Sequence, residues 1–316
     1  MQSSLRQPSP PPGDMPTDVS IVVVHYNTPG LTEACVRSVL RHTQGCSFEL
    51  LVVDNASTIG DIKHLEGLDI RVRVLRQSTN LGFAGGNNAG WAKAQGRYIL
   101  LLNSDTELVE DAISFALQRM EADASIGILS VKLLYADGRP QYVTGAFPRL
   151  STELLALTRL EKLLSPAARL RRYYNDLADP DAPARPDWVW GAFWLAPRAV
   201  VELMPGGKLP EDFFMYYEDV LWAWLVKTEQ KRSVAYEPGA KVIHHLSGSA
   251  TDLANEEAKY RQKTFPNEYA FLRNYCGRWY AKAFYGVRIL HLLSLRTPAD
   301  REKAAWYWRQ VFSSKA

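Results

Sequence analysis

The stretch "NLGFAGGNNAGWAKAQGRYILLLNSDTEL", residues 80–108, decides the fold. Four glycines and three asparagines crowd its first eleven residues. A short helix is expected over 86–95, then a very apolar strand over 97–105 that stops on Asn103-Ser104-Asp105. A glycine-rich turn before a helix first points to a phosphate cradle. The spacing excludes the common ones. Gly82, Gly85, Gly86 and Gly90 do not make GxGxxG, the turn comes late in the sheet, and no GK[ST] follows. What remains is a pliable polar turn at one end and a carboxylate, Asp105, delivered by a strand at the other.

The segments on either side repeat the strand-helix alternation. "SIVVVHYN" (20–27), "FELLVVDN" (48–55) and "IRVRVLRQ" (70–77) read as buried strands. "GLTEACVRSVLRHT" (30–43) is helical, with Leu31, Cys35, Val39 and Leu40 on one face and Thr32 as the expected N-cap. "EDAISFALQRMEAD" is a further helix and "GILSVKLLY" a further strand. This order predicts an α/β fold with a mostly parallel sheet. Ligand-binding loops then gather at the strands' C-terminal ends. Three such ends carry polar groups: Tyr26-Asn27, Asp54-Asn55 and Asn103-Asp105. Residues 151–186 read as an excursion over that cleft, with helical pieces "ELLALTRLEKLL" and "AARLRRYYNDL" before the linker "ADPDAPARP". "DWVWGAFWLAP" (187–197) reads as an aromatic strand.

The bulk numbers bound the partners. With 316 residues, 47% hydrophobic and 22% charged, the chain has room for one large α/β domain and an appendage. The net charge is +3, yet residues 251–316 hold 12 Lys/Arg against 6 Asp/Glu. A basic, aromatic, helical tail points to an anionic surface, with core packing as the plainer reading. Nucleic acid is not expected. Cys35, Cys46 and Cys276 have no CxxC spacing, which disfavours a zinc site or disulfide framework and fits a reducing cytosol. The opening 1–18 lacks an apolar signal core and reads as a disordered leader. No apolar run reaches the ~18 residues a membrane span needs.

These residues suit a nucleotide-sugar. The early strand ends supply polar contacts for base and ribose. Asp105 is a hard oxygen ligand for Mg²⁺ or Mn²⁺, and His244 or His245 adds an imidazole. Glu218 and Asp219 follow an aromatic run, Phe213 to Tyr217, whose low polarity raises a carboxylate towards general-base values.

Six segments, in order, carry a family resemblance: "VSIVVVHYNTPGLTEACVRSVL", "LLVVDNAST", residues 80–108, "WVWGAFWLAPRAVVE", "FFMYYEDVLWAW" and "EPGAKVIHHLSGSA". Over residues 19–250 the chain resembles the family 2 inverting glycosyltransferases of GT-A fold, in particular their bacterial rhamnosyltransferase-like branch. The resemblance implies a GT-A domain over 19–250, with 151–186 as an acceptor-side insertion and 251–316 as a helical basic extension. It implies base and ribose contacts from Tyr26, Asn27, Asp54 and Asn55. Asn80, Gly82, Phe83 and Asn87 would line the nucleotide-sugar site with Asn103 and Ser104. Asp105 would be the metal-binding aspartate, His244 the metal-ligating histidine, and Asp219 the catalytic base supported by Glu218. Trp190 and Gly191 would border donor and acceptor. It further implies transfer from dTDP-L-rhamnose to a surface-polysaccharide or O-antigen acceptor, at the inner face of the cytoplasmic membrane. The rivals are a UDP-hexose or galactofuranose donor, and a non-catalytic binding module on the same fold. Two departures stand out. Asn103 replaces the first acid of the metal motif. "VLWAWL" (220–225) lacks the second Asp and the Arg that many relatives carry there. Trp222 and Trp224 read as core residues.

Overall fold

The computed structural model describes residues 17–166, 168–169, 172, 179–246, 258 and 260–313. Residues 1–16 of the expected leader, most of "AARLRRYYNDL" and residues 247–257 lie outside the described residues.

The β-branched and leucine-rich runs form the strands of one mixed eight-stranded sheet. In chain order these are β1 (Val19–His25), β2 (Phe48–Asp54), β3 (Val72–Arg76), β4 (Tyr98–Asn103), β5 (Thr106–Leu108) and β6 (Ile126–Leu134). Then come β7 (Thr144–Gly145), β8 (Trp188–Val189), β9 (Phe193–Pro197) and β10 (Ser233–His244). The large sheet runs β3-β2-β1-β4-β9-β6-β10-β5, and β7 pairs with β8 separately. β1 is parallel to both β2 and β4, while β9 runs antiparallel between β4 and β6. Parallel pairing directs the C-terminal ends of β1, β2 and β4 to one edge of the sheet.

Helices α1 (Pro29–His42), α2 (Gly82–Trp91), α3 (Ala112–Ala122), α4 (Leu150–Thr158), α5 (Arg198–Glu202) and α6 (Glu218–Thr228) flank the sheet. Three more close the chain: α7 (Phe265–Phe271), α8 (Arg278–Leu295) and α9 (Pro298–Trp308). These tail helices are not a separate layer. Phe265, Phe271, Phe284, Tyr285 and Tyr307 share one buried cluster with Trp194, Trp222 and Ile128 of the sheet and α6. A half-buried ion triad adds to this: Arg288 of α8 meets Glu153 of α4 at 2.8 Å and Glu268 of α7 at 3.0 Å. Among the described residues no helix is long and apolar enough to cross a membrane.

Three local expectations change. Thr32 is not the N-cap of α1. Thr28 holds that place, and Thr32 is buried one turn in, donating its hydroxyl to Thr28 O and accepting from His25 Nδ1. Helix α2 begins at Gly82 and ends at Trp91, so the glycines belong to the helix and not to a turn before it. A Cβ at Gly86 would meet Val24 Cγ1 at 2.8 Å, and one at Gly90 would meet Val22 Cγ1 at 2.4 Å. Those glycines let α2 lie directly on β1. Lastly, "DWVWGAFWLAP" is not one strand. It breaks at Trp190-Gly191-Ala192 between β8 and β9.

Candidate active site

Strand β4 delivers Asn103, and the chain turns through Ser104-Asp105 into β5, which pairs antiparallel with the end of β10. That pairing sets His244 opposite Thr106 and brings its Nε2 to 3.3 Å from Asp105 Oδ1. Neighbours on a strand face opposite ways. His245 accordingly turns to Glu107, with Nε2 at 3.4 Å from Oε2. Asn103 Nδ2 stands 3.3 Å from His244 Nε2, and the Trp190 ring edge lies against the imidazole at 6.2 Å between centroids. His244 is 3% exposed. Among the described residues no group of three or more His, Cys, Asp or Glu gathers. The pair still fits Mn²⁺ or Mg²⁺ of the kind held by one or two protein groups, with substrate phosphates and water completing the shell. Mn²⁺ accepts both the carboxylate and the imidazole.

The polar groups on the nucleotide side are largely engaged with the protein. Asn55 is buried. Its Nδ2 donates to Asn80 Oδ1 and Gly82 O, each at 3.0 Å, and its Oδ1 accepts from Leu81 N at 2.9 Å. Asn80 Oδ1 also accepts from Gly82 N at 2.9 Å. This pair ties the end of β2 to the start of α2. Asn27, at φ 57°, accepts from Thr58 N and Ile59 N, and Asp54 accepts from Ser57 N at 3.0 Å. They shape the loop beside the strand ends, above which Tyr26 is half exposed. Asn87 is buried and donates to Phe83 O at 2.9 Å. Ser104 lies 3.5 Å from the Thr28 hydroxyl.

Gly82, at φ 74°, is needed for its own chain: a Cβ there would stand 2.5 Å from Phe214 O. Phe83 N donates to that same oxygen at 3.1 Å, which docks residues 213–214 on α2. The Phe83 ring stacks on Trp222 and reaches Gly191, where a Cβ would come within 3.0 Å of it. Gly191 thus keeps the aromatic floor and the β8–β9 break in contact.

Glu218 and Asp219 open α6 directly after two residues in the left-handed region, Tyr216 (φ 72°) and Tyr217 (φ 78°). Such non-glycine positions cost on the order of 1–3 kcal/mol each and persist only where surroundings enforce them. The enforcement comes from the tail: Asn267 Nδ2 donates to Met215 O and Tyr216 O, both at 2.9 Å, and Tyr217 packs on Phe271. The elbow aims Asp219 at the β8–β9 break. Its Oδ2 accepts from Gly191 N at 3.4 Å and its Oδ1 from Val220 N at 2.9 Å. Burial pushes Asp219 up from 3.8 to about 6. Glu218 is 3% exposed with Oε1 unpartnered, and burial, then the Asp219 charge, pushes it up to about 8. At neutral pH Asp219 is mostly the carboxylate and Glu218 mostly the acid. The residues replacing the relatives' second Asp and Arg are core: Trp222 is fully buried, and Trp224 packs on Phe147 and Phe271.

Gly191 and Trp190 therefore bridge two centres, Asp219 on one side and His244 with Asp105 on the other. Asn267, which holds the elbow before Asp219, carried no signal in the sequence, because it acts on main-chain atoms 52 and 51 residues away and neither spacing nor composition records that.

Residues 20–175 match the family described as Glycosyl transferase family 2. The succinoglycan biosynthesis protein ExoO of Rhizobium meliloti is 32% identical over 133 residues, 42% of this chain and 38% of that protein. The Escherichia coli UDP-Glc:alpha-D-GlcNAc-diphosphoundecaprenol beta-1,3-glucosyltransferase WfgD is 33% identical over 103 residues, 32% of this chain and 40% of that one. The matches span half or less of each such relative. Among solved structures, the mannosyltransferase PcManGT of Pyrobaculum calidifontis, in complex with GDP-Man and Mn²⁺, superposes with a TM-score of 0.53 at 15% identity. That superposition covers 94% of this chain and 84% of that one. GalNAc-T7 with UDP, GalNAc and Mn²⁺ gives a TM-score of 0.55 at 16% identity, covering 94% and 57%. The likeness in sequence of residues 20–175 to glycosyl transferase family 2 and the likeness in fold agree, and the chain has an α/β GT-A fold.

Proposed function

We propose that this chain is a metal-dependent inverting glycosyltransferase that moves a sugar from a nucleotide diphosphate to a hydroxyl of a bacterial polysaccharide or O-antigen glycan. The observation that carries the reading is the pairing of two centres across Gly191: a half-buried carboxylate at a base-competent pKa, and a carboxylate–imidazole pair suited to a cation. Asp219 takes the acceptor hydroxyl proton, and that oxygen attacks the anomeric carbon from the face opposite the leaving diphosphate. Asp105 and His244 would hold a divalent cation, which would supply positive charge against the leaving diphosphate. Glu218, protonated beside Asp219, leaves a single negative charge at the base. Phe83 and Gly191 floor the space between.

The dTDP-L-rhamnose donor rests on the resemblance of the sequence to the rhamnosyltransferase-like branch. A UDP-hexose is the second reading, favoured by the likeness to the Escherichia coli UDP-glucose-dependent transferase WfgD. Acceptors linked to lipid would bring the chain to the inner membrane face. The exposed Trp279 of α8, with Arg278 and Lys282 at its ring, supports that docking, as do the exposed Leu290 and Leu293.

Thermal shift with dTDP, UDP and GDP at equal concentration, each with Mn²⁺, ranks the donors, because a ligand stabilises the fold it binds by an amount that rises with the logarithm of its affinity. A donor screen read by mass spectrometry then detects transfer. Stabilisation by none of the three, with no hydrolysis or transfer, would leave the non-catalytic module as the better account.

A further inference from the structure

The imidazole of His244 is gripped by a residue that no chemistry above uses. Gln141 follows a tight turn at 135–140 that folds the chain back on β6, with Gln141 N donating to Leu133 O at 2.8 Å. β6 lies beside β10, so the Gln141 side chain meets the end of β10. It is 1% exposed. Its Nε2 donates to His244 O at 2.7 Å and to Leu134 O at 3.3 Å, and its Oε1 stands 2.9 Å from His244 Nδ1.

For the neutral ring these contacts leave one consistent arrangement. Two carbonyl oxygens accept only, so the amide nitrogen must face them. The amide oxygen then faces Nδ1, which must carry the proton. The lone pair of the imidazole is thereby on Nε2. That atom faces Asp105 Oδ1 at 3.3 Å, one acceptor against another, with the Asn103 amide nitrogen as its donor neighbour at 3.3 Å. The Trp190 edge limits rotation of the ring. A cation bound beside Asp105 would draw on that Nε2 lone pair.

We propose that Gln141 is a positioning residue for metal binding, whose amide holds His244 in the Nδ1–H tautomer and so presents the Nε2 lone pair beside Asp105. The proposal rests on the metal reading of Asp105 and His244 given above. Hydrogen bonds of this kind fix a ligand's tautomer, and their loss lowers metal affinity by roughly 10- to 100-fold.

The test has a readout that needs no metal and no turnover. Protein labelled with ¹⁵N-histidine is examined metal-free at pH 8 by long-range ¹H–¹⁵N correlation, with His244 assigned from the signal missing in His244→Asn. The wild type should show the Nδ1–H tautomer at His244. Gln141→Met, close in volume, should shift the ring towards Nε2–H and weaken Mn²⁺ binding in the presence of UDP by roughly tenfold or more, read by electron paramagnetic resonance of the free ion. An Nε2–H tautomer in the wild type overturns the proposal, even if Gln141→Met does not fold. So does a Gln141→Met protein with unchanged tautomer and unchanged Mn²⁺ affinity. A wild type that shows the Nδ1–H tautomer yet binds no Mn²⁺ overturns the metal reading instead.

Discussion

Replacing Asp219 by Asn should abolish transfer and at the same time stabilise the protein, by an amount that depends on pH. Burial raises this carboxyl from 3.8 to about 6. The folded state therefore binds the proton more tightly than the unfolded chain does. Its contribution to stability is present below about pH 4 and is lost as pH rises through about 6. A shift of about two units corresponds to about 3 kcal/mol, withdrawn from the wild type at pH 8. Asparagine carries no charge and escapes that loss. Its oxygen can still accept from Val220 N, but its amide nitrogen meets Gly191 N, so the 3.4 Å bond goes. A long bond of this kind is worth about 0.5–1 kcal/mol. The net expectation is a gain of about 2 kcal/mol at pH 8, vanishing or slightly reversed at pH 4. Glu218 adds in the same direction, because the Asp219 charge is one of the causes that raise it. Urea denaturation of both proteins at the two pH values measures the difference, with the slopes compared to check that the unfolded states match. An equal difference at pH 4 and pH 8, or a less stable variant at pH 8, would refute the claim that this carboxylate is held at an energetic cost.

The remaining predictions concern turnover, the cation, the elbow and the core. Activity of the wild type should fall about tenfold per unit below about pH 6 as Asp219 takes up its proton, and a flat profile from pH 5 to 7 would remove it as the base. Asp105→Ala should eliminate the extra thermal stabilisation that Mn²⁺ adds to a nucleoside diphosphate while leaving the melting temperature of the free protein nearly unchanged. Asn267→Ala removes two bonds to the Tyr216 elbow and should lower turnover roughly 10- to 100-fold with little effect on nucleotide affinity. Adding Tyr216→Gly, which removes the cost of φ 72°, should recover much of that loss, and steady-state kinetics of the double variant decides it. Arg288→Ala removes the charged donor of two bonds, to Glu153 and Glu268, and should cost about 1.5–3 kcal/mol in chemical denaturation, whereas neutralising all three groups together should cost less.

Much of this molecule is written locally. The apolar runs 20–25, 48–54 and 97–103, each followed by polar residues, determine by themselves a sheet with a polar edge, because buried strands need continuous apolar sequence and turns need groups that bond their own backbone. The Asn103-Ser104-Asp105 end and the Glu218-Asp219 pair stand out for the same reason: chemistry-bearing groups sit next to strongly patterned segments. The glycines of residues 82–90 read in the sequence as a pliable turn lining a nucleotide-sugar site. Only the packed structure shows that Gly86 and Gly90 admit β1 and Gly82 admits Phe214 O. Tertiary structure alone decided that His244 faces Asp105 while His245 turns to Glu107, because strand parity follows from the pairing of β10 with β5. It alone brought Gln141 to His244 across 103 residues, and Asn267 to the Tyr216 elbow across 51. Sequence periodicity reports which face of an element is apolar. Which distant element meets that face, and which single polar atom is left pointing into the cleft, is set by register and packing between segments that share no local signal.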